Sequence, residues 1–264
     1  MIPLFKGADM DKIRFATENY LELGVAEREN SPLVLVAPGG AYRYTSSREA
    51  APVRDVFLEA GYHSGIIYYR ETLLKHPDAV SELAEFVSFV RKNAEKYKID
   101  PDRIALVGFS AGGHYVANLG VSWEKYGKES RPNALILAYP VITGIEGFAH
   151  DGSIQNLFGC LTPEAREEFS LERRAGSHTP PTFLFHTADD GAVPVENSLL
   201  FFQALRKAEV KADLHIYQEG PHGLALANAK TPPEGADPAA YAKKYARVAG
   251  WVDLAIKWLG EIFR

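Results

Sequence analysis

The sequence predicts an α/β protein built on a mostly parallel central sheet flanked by helices. Three observations carry that expectation. Short apolar runs of strand length alternate with longer segments of helical period from about residue 33 to the end, the signature of strands joined by crossover helices. Hydrophobic residues make up 46% of the 264 positions and charged residues 24%, the balance of a globular core rather than of a disordered chain. The stretch Ile104 to Trp123 carries no formal charge over 20 residues. Gly108, Ser110, Gly112, Gly113, His114 and Asn118 interrupt it, so it reads as buried core and not as a membrane span.

Taken in order, the first 30 residues are weakly patterned and are assigned at most an antiparallel strand or two. The strands expected next are Leu33 to Ala37, Ser64 to Tyr69, Ile104 to Phe109, Ala134 to Tyr139, Thr182 to His186 and Leu214 to Tyr217. Between them lie helices. Arg48 to Ala60 reads as one, and Pro77 to Tyr97 as another, with Val80, Leu83, Phe86, Val87 and Val90 on one face at spacings of three and four. Asn197 to Ala208 and Tyr241 to Phe263 complete the set. Ile142 to Ser177 departs from the alternation and is expected to form an insert, about 142–177, over one end of the sheet. Ala229 to Ala239 is a Pro-rich loop. No repeat or linker divides the chain, so residues 1–264 are treated as one domain.

Composition also excludes whole classes of function. There are 29 Lys plus Arg against 34 Asp plus Glu, a net charge of −5, which leaves no basic excess for a nucleic-acid backbone. The single Cys160 cannot form an internal disulfide, and the first residues lack the basic segment and apolar run of a secretory signal. A cytoplasmic protein is the expectation. The histidines are dispersed, H-E-x-x-H and paired C-x-x-C are absent, and the glycine turn at Ser110 lacks a P-loop lysine. No metal and no cofactor is therefore expected.

The sharpest local feature is Gly108-Phe109-Ser110-Ala111-Gly112, directly after a strand-like run and directly before a helical segment. It matches G-x-S-x-G, in which a serine sits on a strained strand-to-helix turn and glycines relieve clashes with neighbouring backbone. A serine hydroxyl is a weak nucleophile until a base takes its proton, and the base needs an acid to fix its tautomer. Of the eight histidines, His222 stands in the loop Gly220-Pro221-His222-Gly223, just past the last strand-like run. His215 lies inside that run and reads as structural. The acid is one of two neighbours, Asp189 or Asp190, after the run Thr182 to His186. The chain order Ser, Asp, His is that of the α/β-hydrolase arrangement. Singly, such an aspartate could cap a helix and such a histidine could be an ordinary loop residue; the three together at strand ends point to nucleophilic catalysis.

An oxyanion needs backbone N–H groups aimed at one point. Ala111, after the nucleophile, supplies one, and Gly40 and Ala41 in the loop Pro38 to Tyr42 are the candidates for the others. Tyr42, Tyr44 and Tyr139 fall near strand ends, where a sugar or aromatic acyl group could stack, and Tyr42 and Tyr139 are the substrate contacts expected, although at least two of the three suit core or rim packing as well. His114, four residues after Ser110, reads as a packed helix residue.

With these motifs the chain resembles the α/β-hydrolase serine esterases, and within them the bacterial acetyl esterase, acetyl xylan esterase and sugar-hydrolase group. The resemblance runs from about Leu33 to the C-terminus through Pro38 to Tyr42, Ser47-Arg48-Glu49, Gly108 to His114, Tyr139-Pro140-Val141, Pro180 to Phe183, His186 to Asp190, Val193-Pro194 and Gly220 to Gly223. It places the acid three residues before a Val-Pro pair, which selects Asp190. Pro38 stands where lipase-like relatives have the His of H-G-G-G, and Ala41 where they have the last glycine. The resemblance implies an α/β-hydrolase fold and hydrolysis of short acyl esters by Ser110, Asp190 and His222, with acetylated xylo-oligosaccharides as the substrate. Activity is then expected to rise with pH as the base loses its proton. Alternatives are a feruloyl esterase, a prolyl oligopeptidase-like peptidase, which usually carries an additional domain, and a non-catalytic small-molecule receptor on the same fold. The partners expected are the ester substrate, no nucleic acid and no membrane; a homo-oligomer is left open.

Overall fold

The computed structural model describes residues 10–26 and 28–264, so the weakly patterned start lies partly outside the described residues. Among the described residues eight strands form one sheet: β1 (Asp11–Arg14), β2 (Tyr20–Gly24), β3 (Ser31–Ala37), β4 (His63–Tyr68), β5 (Ile99–Phe109), β6 (Ala134–Ala138), β7 (Thr182–Thr187) and β8 (Ala212–Tyr217). Their spatial order is β1-β2-β4-β3-β5-β6-β7-β8. β1 and β2 join antiparallel, and every pairing from β4 to β8 is parallel. The expected fold class is the one observed.

Burial explains the pairing. Ile104 to Phe109 is covered on both faces, as parallel strands flanked by helices must be. Ile104 and Leu106 point into one core with Val80, Leu83, Phe86, Val87 and Val90 of α2 (Asp78–Lys92) and with Tyr115, Val116 and Leu119 of α3 (Ala111–Ser122). Ala105, Val107 and Phe109 point into the other, which the earlier helix α1 (Ala51–Glu59) fills with Val53 and Phe57. Burying a side chain of this size contributes about 1.5–3 kcal/mol. The apolar stripe read from Pro77 to Tyr97 is therefore the face that packs.

Some boundaries moved for physical reasons. β5 starts at Ile99, five residues before the apolar run, because Ser31 pairs with Ile99 across an irregularity that lets the polar Asp100 to Arg103 join the strand. The insert after β6 folds as α4 (Asp151–Phe158) and α5 (Pro163–Phe169), with Thr162 capping α5 and Pro163 in its first turn. After α6 (Glu196–Lys207), the final segment is broken into α7 (Pro238–Lys244), α8 (Ala246–Ala249) and α9 (Trp251–Ile262), not one helix from Tyr241 to Phe263. The indole of Trp251 donates to the Ala225 carbonyl at 2.9 Å, fixing α9 independently of α7. Among the described residues no helix is long and apolar enough to cross a membrane.

The strand order reverses at β3, with β4 on one side and β5 on the other. Crossovers leaving in opposite directions open a crevice at the carboxyl ends of these strands. Register then decides what meets there: Ala37 pairs with Gly108, Phe109 with Ala138, and Ala138 with Phe185. The loops that follow β3, β5, β6 and β7 are thus brought to one edge.

Candidate active site

β5 ends at Phe109 and α3 begins at Ala111, leaving Ser110 alone at the turn. Its φ of 52° and ψ of −120° lie where residues with a Cβ are strained, a conformation kept only when the surroundings over-determine it. They do so here. The Ser110 N–H donates to the Ala138 carbonyl at 3.0 Å, and the Ser110 carbonyl accepts from Val141 N–H at 3.0 Å and from His114 N–H at 3.2 Å. α3 backs closely onto β3, for a Cβ at Gly112 would collide with the Ala37 carbonyl oxygen. Ser110 therefore stands at a helix N-terminus, where unpaired N–H groups and the helix dipole favour negative charge.

His222, in the loop after β8, places Nε2 2.8 Å from Ser110 Oγ and Nδ1 2.7 Å from Asp190 Oδ2. The other oxygen of Asp190 accepts from the N–H groups of Ala192 and Val193, each at 2.9 Å. Burial opposes the charge on Asp190, but hydrogen bonds from His186 and His222 outweigh it and hold the carboxyl well below the usual carboxylate range. An ionised Asp190 accepts only, so Nδ1 of His222 carries the proton and Nε2 is free to accept from Ser110. Asp189 is exposed and accepts from Gly220 N–H at 2.6 Å, steadying the loop that carries His222. His215 is half-buried, its ring against Phe183 at 4.9 Å between centroids.

The loop after β3 runs beside the serine: a Cβ on Gly39 would lie 2.9 Å from Ser110 Cβ. Its carbonyls are held one after another. That of Gly39 accepts from Ser46 N–H at 3.0 Å, and that of Gly40 from Arg43 at 2.8 Å and Tyr44 at 3.2 Å. That of Ala41 accepts from Asn156 Nδ2 in α4 at 2.8 Å. In a trans peptide the N–H points opposite to the C=O, and among the described residues none accepts from the N–H groups of Gly40, Ala41, Tyr42 or Ala111. Positive φ values of 131°, 54° and 59° at Gly40, Ala41 and Tyr42 turn the chain sharply along this run. A Cβ at Gly40 would meet the Tyr44 carbonyl oxygen, so Gly40→Val would collapse the loop and is no clean probe of its N–H. A base-linked serine beside unpaired N–H donors can perform acyl transfer.

Comparison with known proteins finds relatives among the esterases. The BD-FAE family model matches residues 21–135. The chain is 36% identical over 208 residues to an endo-1,4-beta-xylanase B of Butyrivibrio fibrisolvens, covering 74% of this chain and 33% of that one. It is 32% identical over 209 residues to an acetylxylan esterase of Xylanibacter ruminicola, covering 76% and 42%. The chain thus spans between a third and a half of the length of these curated relatives. An acetyl ester-xyloside bifunctional hydrolase from Caldicellulosiruptor lactoaceticus superposes with a TM-score of 0.81 at 34% identity, covering 94% of this chain and 89% of that one. The chain belongs to the α/β-hydrolase esterase family.

Two contacts expected in this α/β hydrolase need correction. Tyr42 and Tyr139 are each 1% exposed and do not line the opening. The Tyr42 hydroxyl bonds His114 Nδ1 at 2.8 Å, and the Tyr139 hydroxyl donates to Glu49 Oε1 at 2.6 Å. A place at a strand end told where these residues sit, but positive φ values of 59° and 37° turn the chain locally, and the rings enter the core. Tyr44, at 61% exposed, is the one of the three tyrosines that faces solvent.

His114 is wholly buried, with Nε2 3.0 Å from the Phe169 carbonyl. Burial, aided by Arg174, pushes its pKa down to about 3 from an ordinary 6.5. Between those values the unfolded chain binds the extra proton, so stability falls as pH drops through the window, by up to about 1.4 kcal/mol per pH unit from this group. Urea unfolding at pH 7 and 4.5 checks this. His114→Gln is expected to flatten the dependence, and an equally steep slope in that variant counts against the assignment.

Sequence reasoning missed three neighbours of the site in this hydrolase. His186 is buried behind Asp190, its Nε2 3.4 Å from Oδ2. Asn156 in the insert holds the Ala41 carbonyl. His150, at the start of α4, has its pKa lowered by burial first and by His222 next, which puts it within electrostatic reach of the site. Asn156 and His150 lie far in sequence from Ala41 and His222, and no local pattern marked them. His186 lies only four residues before Asp190, but nothing in that run showed that its ring turns back toward the carboxylate.

Proposed function

We propose that this chain is a serine carboxylesterase acting on short acyl esters. The observation that carries the reading is the continuous hydrogen-bonded line Ser110–His222–Asp190 beside a run of N–H groups that have no acceptor among the described residues. In this mechanism His222 Nε2 takes the Ser110 proton as Oγ adds to the ester carbonyl carbon. The carbonyl oxygen, now negative, is received by the N–H groups of Ala111, Gly40 and Ala41. Each such donor contributes about 2.7–4 kcal/mol to the transition state. His222 then protonates the leaving alcohol, and water repeats the cycle to release the acid and restore Ser110.

Acetylated xylo-oligosaccharides are the substrate class we favour. The names of the xylan-linked relatives support it, as does Tyr44, an exposed aromatic on the donor loop able to stack on a sugar. A cytoplasmic setting suits the single Cys160, which has no disulfide partner within the chain. The test is a comparison of kcat/KM across acetyl, butyryl and feruloyl esters on sugar and on simple alcohols. Acetyl-xylo-oligosaccharides are expected to exceed a simple aryl acetate by about tenfold, the effect of one or two good sugar contacts. Equal rates would remove the carbohydrate part of the proposal, a feruloyl preference would replace the acyl part, and binding without turnover would leave a receptor.

A further inference from the structure

Glu49 plays no part in the mechanism above, yet its burial calls for an explanation. It is 4% exposed, and among the described residues it forms no ion pair with a basic side chain. A buried carboxylate without a counter-charge is costly unless hydrogen bonds compensate it. Both of its oxygens are engaged: Oε2 accepts from Gly39 N–H at 2.8 Å and Oε1 from the Tyr139 hydroxyl at 2.6 Å. The Tyr139 hydroxyl accepts in turn from Ala225 N–H at 2.8 Å. Ala225 stands three residues beyond His222 in the same loop, with a strained φ of 52°. The Tyr139 ring lies edge-on to the His222 ring, centroids 5.1 Å apart. Burial, and after it the Glu49 charge, holds the Tyr139 hydroxyl well above the usual phenol range, so it remains a donor.

The peptide between Pro38 and Gly39 is clamped at both ends, because the Tyr69 hydroxyl donates to the Pro38 carbonyl at 2.7 Å while Glu49 accepts from Gly39. Only the Glu49 end continues to the loop bearing His222. We propose that Glu49 is a positioning residue, which through Gly39 on one side and Tyr139 and Ala225 on the other sets the donor loop against the His222 loop, so that both reach the same tetrahedral intermediate. The inference rests on the esterase reading above and gives it a third support besides the serine turn and the acid.

Glu49→Gln tests it. A glutamine has one carbonyl oxygen for two donors: with that oxygen on Gly39 N–H, its NH₂ faces a Tyr139 hydroxyl that already accepts from Ala225 N–H, and the hydroxyl proton loses the carboxylate that held it. With an aryl acetate, kcat is expected to fall about 30-fold while KM stays within about twofold, because the misplaced groups act in the transition state and not in substrate binding. A trifluoromethyl ketone reports the same geometry: Ser110 Oγ adds to its carbonyl carbon, the serine proton passes to His222, and the ketone oxygen takes the charge. Its affinity should weaken in the same ratio as kcat, while that of a ketone too unreactive to add stays unchanged. Tyr139→Phe should lower kcat similarly, and the double variant no further, since both act through one relay. If Glu49→Gln does not fold, the kcat and inhibitor ratios of Tyr139→Phe decide alone. A folded Glu49→Gln or Tyr139→Phe with wild-type kcat, or additive losses in the double variant, would overturn the inference. A wild-type protein that hydrolyses no ester would instead overturn the esterase reading, so the two failures are distinct.

Discussion

Replacing Ser110 by alanine is expected to lower kcat for an aryl acetate by about a million-fold and to abolish labelling by a serine-reactive phosphonate, since the nucleophile and its base act as a unit. The size follows from what remains. Without Oγ, His222 Nε2 loses its 2.8 Å partner and can activate only a loosely held water, while the N–H groups of Ala111, Gly40 and Ala41 still receive an oxyanion. The residual rate should therefore stand about a thousandfold above that of water alone. The fold should be unaffected, because the strained backbone at residue 110 is held by Ala138 and Val141 through main-chain groups that alanine retains. Measured turnover within a hundredfold of wild type, or a phosphonate adduct on another residue, would remove Ser110 from the mechanism.

Asp190→Asn is the next largest, an expected loss of about ten-thousandfold in kcat. The asparagine carbonyl can still accept from Ala192 and Val193, which turns its NH₂ toward His222 Nδ1. Nδ1 then becomes an acceptor, and the ring proton moves to Nε2, facing Ser110 in the wrong sense to take its proton. The variant should also be less stable at neutral pH. A carboxyl held below its ordinary pKa stabilises the fold at every pH above that ordinary value, and the contribution is lost as pH falls through the lower folded value. The difference in melting temperature from wild type should thus be largest near pH 7 and narrow in acid. Unchanged kcat with a shifted melting temperature would reduce Asp190 to a structural role.

Much of this architecture could be read from the chain because strand segments buried on both faces must be apolar, and Leu33 to Ala37 of β3, Ile104 to Phe109 of β5, Ala134 to Ala138 of β6 and Phe183 to Phe185 of β7 are. The stripe of α2 was equally plain, since helix period and core face coincide. Where the chain was harder to read, polar residues had joined regular structure, as at Asp100 to Arg103, or tertiary anchors had divided a helix, as at Trp251. In the site, the residues at strand ends were legible as positions. Side-chain direction was not. Tyr42 and Tyr139 turned inward, Asp190 and Asp189 separated into a partner of His222 and a support for Gly220, and Glu49 gained its role only when folding brought Gly39 and Tyr139 to opposite oxygens.

The bond from Asn156 to the Ala41 carbonyl bears on how such proteins diversify. The segment from Ile142 to Ser177 reaches the loop beside Ser110 through this bond, so grafting another relative's version of it is one way to redirect specificity. On the proposed mechanism that segment also steadies the backbone that would receive the oxyanion, so a graft without an amide in the place of Asn156 is expected to forfeit chemistry along with selectivity. Libraries built on this scaffold should therefore hold that one position constant while the rest of the insert varies.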